Sequence, residues 1–208
     1  MPTSQVAQFE QILSSLPALP FSTQQYVFCP RDSISATTDS LWRIERGVVR
    51  TWTWNQQGQP MTLGYWGAGD IVGQPLSSLN PYRIQCLTSV EVSMVPPTLL
   101  YQDLNALVGQ FQQTELLLSI LHLHPIKERL WQFLVWLSHK FGRDVDQGRL
   151  IELLLTHQEM AEALATTRVS VTRMLQVFES EGRLKRHAKQ LIITGKGGTA
   201  KCSLSNEL

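Results

Sequence analysis

A chain of 208 residues with 43% hydrophobic side chains can bury one substantial core or two small ones, which excludes a peptide, a fibre and a disordered tail. Charged residues make up only 17%, and 18 Lys+Arg against 17 Asp+Glu leave a net charge of +1, so no global field points to nucleic acid or membrane. The distribution is uneven: residues 1–141 hold 8 basic and 9 acidic side chains, whereas residues 165–201 hold 8 basic and 2 acidic, a local +6.

The opening MPTSQVAQFEQ lacks the basic start, apolar stretch and small-residue cleavage site of a secretory signal, and no apolar run approaches the roughly 20 residues that span a bilayer. A cytoplasmic protein is expected. Cys29, Cys86 and Cys202 are odd in number and far apart, which fits neither a disulfide framework nor close-spaced metal ligands. An iron–sulfur cluster normally takes four ligands and would have to be shared.

In chain order, Val6, Phe9, Ile12, Leu13 and Leu16 repeat at helical spacing from Ser4 until Pro17 and Pro20 end the pattern. From Gln24 to Val95, short runs rich in Val, Ile, Trp, Tyr and Thr alternate with turn signals, which predicts a compact antiparallel β unit. Within it, residues 48–66 read as a hairpin with its turn at Asn55 to Gly58, and Val49, Thr51 and Thr53 alternate with Arg50, Trp52 and Trp54. The outward tryptophans suit ligand stacking or, more commonly, packing on a two-sided sheet.

Helical periodicity takes over from Thr98. Leu104, Leu107, Phe111, Thr114, Leu118 and Leu121 follow at intervals of 3, 4, 3, 4 and 3, a coiled-coil seam. Such a short seam also fits a helix packed on its own domain. Dimerisation is favoured because a helix emerging from a β unit would leave one stripe uncovered in a monomer. Pro125 bends the chain, and a second helix follows with Ile126, Leu130, Phe133, Leu134, Leu137 and Phe141 on one face and Gly142 at its end. The polar, glycine-punctuated GRDVDQGR is expected to be a loop opening the next domain.

Beyond it, Thr156 with Glu159 three residues on forms a capping-box pattern. The helix it opens presents Met160, Ala161 and Leu164 on one face. After the turn Ala165-Thr166-Thr167, a second helix from Arg168 to about Glu181 buries Val171, Met174, Leu175 and Phe178 and leaves Arg168, Ser170, Thr172, Arg173 and Gln176 outward. This is a helix-turn-helix. A core helix pair has no need of a polar Arg-x-Ser-x-Thr-Arg face, whereas a helix in the major groove uses guanidinium forks for guanine and hydroxyls for phosphates. Residues 183–194 then read as two strands around a His187 to Gln190 turn, a basic hairpin able to rest on phosphates through Arg183, Lys185, Arg186 and Lys189.

The stretch from Leu155 to Thr194 resembles the winged-helix DNA-binding domain of the Crp/Fnr family of bacterial transcription regulators. GVVRTWTWNQQGQPMTLGYWGAGDIVG (47–73) is similar to that family's β-roll hairpin and Gly-x-Gly-Asp loop, and 98–124 occupies the place of its dimerisation helix. TRVSVTR (167–173) and residues 126–142 most resemble the nitrogen-control regulators of cyanobacteria. The resemblance implies an α+β fold: a cyclic-nucleotide-binding-like β-roll over 1–97, dimerisation and hinge helices over 98–141, and a winged helix-turn-helix over 142–208. It implies a DNA-binding set of Thr156, His157, Gln158, Arg168, Val169, Ser170, Thr172, Arg173, Arg183, Lys185, Arg186 and Lys189. The partners it implies are double-stranded DNA and a second copy of the chain, with RNA polymerase a further candidate and no membrane.

Departures from the family pattern carry their own expectations. Val169 stands where catabolite activators place a glutamate; valine cannot accept from a cytosine amino group, so a different half-site is expected, and the nitrogen regulators suggest a GTA type. Ala165 replaces the usual turn glycine, at about 1 kcal/mol if its φ is positive. An effector pocket would comprise Gly69, Asp70, Val72, Gly73, Gln74, Arg83 and Glu115. The phosphate-binding Arg-Ser pair of cyclic-nucleotide binders falls at about Asn80 and Pro81, so cyclic AMP is not expected. The arginines that hold 2-oxoglutarate in nitrogen regulators correspond to Asn80 and Gln110, which leaves that effector weakly supported through Arg83. Haem at His122 or His124 has no better support. No cofactor and no catalytic or metal site is expected. The reading from another class is a small-ligand-binding module whose C-terminal domain contacts a protein.

Overall fold

The computed structural model describes residues 24–37, 40–96 and 104–194. The leading helix expected over 4–16, the first residues of the long helix, and Lys196, Lys201 and Cys202 lie outside them.

Two four-stranded antiparallel sheets form the N-terminal roll. One has the order β1 (Gln25–Phe28), β8 (Val90–Val95), β3 (Leu41–Arg46), β6 (Ile71–Gly73); the other runs β2 (Ser33–Ile34), β7 (Arg83–Cys86), β4 (Val49–Trp54), β5 (Pro60–Trp66). Their inner faces meet in a core of Trp42, Ile44, Val49, Trp66, Val72, Ile84, Val90 and Val92. The period-two alternation of β4 explains this placement: Val49, Thr51 and Thr53 are buried inward, and Thr51 Oγ1 accepts a 2.8 Å bond from the Trp66 indole. Asn55 closes the hairpin by accepting from the backbone N–H groups of Gln57 and Gln59. Trp52 and Trp54 pack edge to face outside the roll, 4.6 Å apart, with Arg83 over Trp54.

Helix α1 (Leu104–Leu121) leaves the roll, and α2 (Ile126–Phe141) turns back after Pro125. The amphipathic reading of α2 is corrected: residues 129–138 are buried around the whole circumference, polar Arg129, Gln132 and Ser138 included, and Ile126 is exposed. The reason is position. α2 is the central strut of the larger core, which takes in Tyr65 of the roll, Leu117 and Ile120 of α1, and Met160, Leu164, Val171, Leu175 and Phe178 of the C-terminal half. Gly142 ends α2 with an extended backbone; a Cβ there would collide with the carbonyl oxygens of Ser138 and Leu150, so close approach and not a left-handed turn requires glycine.

The polar stretch after it is also corrected. It forms a hairpin, β9 (Gly142–Val145) with β10 (Gly148–Ile151), which joins β12 (Gln190–Thr194) and β11 (Leu184–His187) in a third antiparallel sheet. Within the hairpin only β10 contributes fully buried apolar side chains, Leu150 and Ile151, so the solvated strand beside it reads as a loop. Between β10 and β11 lie α3 (His157–Ala163) and α4 (Arg168–Ser180).

Candidate nucleic-acid interface

Local chemistry fixes the openings of the two helices. Thr156 Oγ1 accepts from the Glu159 N–H at 3.1 Å while Glu159 Oε2 accepts from the Thr156 N–H at 2.7 Å, the reciprocal capping box expected from the sequence. Thr167 caps α4 by accepting from the Ser170 N–H at 3.1 Å. Ala165 in the turn has φ +50, the left-handed conformation that disfavours a Cβ. Arg129 holds this turn from behind: its guanidinium donates 2.9 Å to the Leu164 carbonyl at the end of α3.

Val171, Leu175 and Phe178 lock α4 inward, which leaves Arg168, Val169, Arg173 and Gln176 exposed on the opposite side. Among the described residues no acceptor lies within hydrogen-bonding reach of the Arg168 or Arg173 guanidinium. Ser170 shares a 2.9 Å hydroxyl contact with Thr167. Thr172 Oγ1 donates to the Arg168 carbonyl and lies 2.8 Å from His157 Nδ1. Partial burial, then the positive charges of Arg186 and Arg168, hold the His157 pKa below its ordinary value. Gln158, exposed at the opening of α3, donates to Glu162.

The wing is less free than its charge suggests. Arg183 lies 3.8 Å over the Trp131 ring and 3.5 Å from Glu181, which makes it a brace between wing and α2. Arg186 pairs with Glu179, and Lys185 donates 3.1 Å to Gln147. Lys189 stands exposed at the tip.

The residues proposed for an effector pocket differ in burial and in partners. Asp70 accepts from the Gly67 N–H and from Lys140 Nζ at 3.0 Å; Val72 is fully buried in the roll core; Gly73 lies against the Ser40 carbonyl. Gln74 donates to the carbonyls of Ser77 and Leu79, Arg83 covers Trp54, and Gly69 and Glu115 are exposed. A cleft of about 890 Å³ lies between the end of α2, the β9–β10 turn and the wing, lined by His139, Asp144, Asp146, Arg149 and Lys185 among others. Cys29 is exposed and Cys86 buried, where burial pushes the Cys86 thiol up to about 12. Among the described residues no cluster could hold a metal ion, and no helix is long and apolar enough to cross a membrane.

The seam residues of α1 divide. Leu104, Phe111, Thr114 and Leu118 are exposed, at 54%, 66% and 54% for the three apolar ones, whereas Leu107 and Leu121 are half-buried. Val108, which the heptad reading omits, joins the bare stripe at 55% exposure. Sequence reasoning also missed Arg129, Lys140, Arg50 and Glu162, polar residues whose partners lie far along the chain, at Leu164, Asp70 and, for Arg50 and Glu162, each other.

A β-roll joined through a long helix to a helix-turn-helix with a β wing defines a class of protein, the two-domain transcription regulators. The Crp-like helix-turn-helix domain family matches residues 128–196. Regulatory protein CysR of Synechococcus elongatus is 39% identical over 166 residues, covering 78% of this chain and 80% of the relative. The global nitrogen regulator of the same organism is 26% identical over 197 residues, covering 84% and 86%. Among solved structures, a Crp-family transcriptional regulator from Thermus thermophilus superposes with a TM-score of 0.72 at 20% identity, covering 85% of this chain and 98% of that one. The chain belongs to the Crp/Fnr family of transcription regulators.

Proposed function

We propose that the protein binds double-stranded DNA as a homodimer and reads a pseudo-palindromic site through α4. The observation that carries this reading is the face of α4: two arginines without acceptors among the described residues, Arg168 and Arg173, beside exposed Val169 and Gln176, on a helix whose opposite side is locked in the core. Guanidinium forks pair with guanine in the major groove, and Val169 selects against a base that needs a carboxylate acceptor. His157 and Gln158 at the opening of α3, with Lys189 on the wing tip, suit phosphate positioning. Arg183 and Arg186 act mainly as braces, which leaves few free cations and makes non-specific, salt-sensitive binding modest.

The bare stripe of Leu104, Val108, Phe111 and Leu118 supports pairing of two α1 helices, which would set the two recognition helices on successive major grooves about 34 Å apart. Cyclic AMP is not expected as the effector, because the resemblance puts its phosphate partners at Asn80 and Pro81, neither a cation, and the acidic loop residue Asp70 serves Lys140. Double-stranded DNA and the second copy are the partners; the names of the relatives support a regulatory role and no catalytic one. Titration of the protein against a pseudo-palindromic and a scrambled duplex at about 0.15 M salt tests this. A clear preference for the palindrome is expected, and equal binding contradicts it.

A further inference from the structure

The outward register of β4 predicts an exposed Arg50, yet its side chain is only 6% exposed. α3 of the helix-turn-helix packs against β5, the strand paired with β4, and Arg50 Nη1 donates 2.9 Å to Glu162 Oε2, a carboxylate itself 15% exposed. The other Glu162 oxygen accepts from Gln158 at 3.1 Å. Beside the pair, Arg50 Nε is buried without a hydrogen-bond partner among the described residues. A second cation crosses nearby: Lys140 of α2 donates 2.7 Å to the Tyr65 carbonyl and 3.0 Å to Asp70, within a cage of Trp66, Trp136 and Phe141 rings. Gly67 lets Phe141 approach, since a Cβ there would press on its ring.

Buried ion pairs add little net stability, because desolvation offsets attraction; what they enforce is geometry, since every other arrangement leaves a buried charge unpartnered. We infer that Arg50 and Glu162 are positioning residues: the roll sets the orientation of its own helix-turn-helix through this pair, and thereby the half-site spacing a dimer accepts. The pair is closed while the α4 reading face stays open, so a dimer carrying it meets DNA with both recognition helices already oriented. Binding the second half-site is then effectively intramolecular, with an effective concentration that depends on how rigidly the two helices are held. Loss of the pair leaves each half-site contact intact and loosens the constraint between them.

This inference rests on DNA reading by α4, and the test separates the two. Arg50→Met, Glu162→Gln and Arg50→Lys are compared with the unaltered protein on duplexes carrying one half-site, two half-sites at the preferred spacing, and two half-sites moved apart by one or two base pairs. The unaltered protein should favour its preferred spacing by about tenfold or more, and Arg50→Met and Glu162→Gln should narrow this to about threefold. Single-half-site affinity should not change, and Arg50→Lys should restore part of the preference. Glu162→Gln keeps the shape of the residue, so it answers the question even where Arg50→Met unfolds. Retained spacing preference in Glu162→Gln overturns the inference, as does a parallel loss of half-site and two-site binding, which marks a merely structural pair. Absence of any site preference in the unaltered protein contradicts DNA reading itself, and the inference with it.

Discussion

The roll and the winged-helix half treat their polar groups in opposite ways. In the roll, the stretch from Gly67 to Leu79 is closed on itself and on α2: Asp70 serves Gly67 and Lys140, and Gln74 bridges the carbonyls of Ser77 and Leu79. On α4, Arg168 and Arg173 project into solvent beside an exposed Val169. Satisfied polar groups hold a shape, whereas unsatisfied ones on a rigid surface await a partner. The difference supports the proposed reading, with recognition on α4 and orientation and pairing left to the roll.

Substitutions can break or sharpen that contrast. The largest effect is expected from Phe178→Ala: this ring is fully buried against Trp131, and its removal should destabilise the protein by about 3–5 kcal/mol in urea unfolding. Met61→Ser on the outer face of the roll, 43% exposed, should stay within about 0.5 kcal/mol. Leu118→Lys sets two charges against each other in the paired stripe and should convert dimer to monomer in sedimentation; an undisturbed dimer would place the interface elsewhere. Arg173→Ala should lose about 1–3 kcal/mol of discrimination at one base position, read across a panel of substituted sites, with no change in urea midpoint. Ala165→Gly should raise stability by up to about 1 kcal/mol by relieving the positive φ.

The smallest effect is that of pH. His157 titrates below its ordinary 6.5 in the folded protein, so between those values the unfolded chain binds more protons than the folded one. Its influence on stability is therefore nil above 6.5 and unfavourable as pH falls below it. A DNA phosphate beside the ring would raise its pKa again, so duplex binding should tighten in the same window. His157→Gln should flatten both slopes in unfolding and binding curves recorded from about pH 5 to 8.

Much of this was legible in the sequence because it is local. The capping box at Thr156, the β4–β5 turn at Asn55 and the inward face of α4 each follow from residue type and spacing within a few positions. What the chain does to distant residues was not legible. Arg50 and Glu162 are joined across 112 positions, and Arg50 sits in a register that by itself points to solvent. α2 reads as amphipathic because Arg129, Gln132 and Ser138 interrupt it, yet all three are buried, with Arg129 and Ser138 donating to backbone carbonyls and Gln132 to Glu128. The wing arginines read as phosphate ligands from their place on a basic hairpin beside α4, and their contacts with Trp131 and Glu179 could be seen only in the fold. The heptad count takes in Leu107, which is half-buried, and omits Val108, which is exposed beside Leu104, Phe111 and Leu118; what a helix packs against is not written in its own spacing.

The most direct test of the account is to recover, from a randomised duplex pool, the sequences the full-length protein retains, and to repeat the selection with Arg173→Ala. Two inverted half-sites with centres about one helical turn apart are expected, with preference relaxed at one symmetric position in the variant. A pool that shows no enriched motif, or a single unrepeated half-site unchanged by Arg173→Ala, would contradict it.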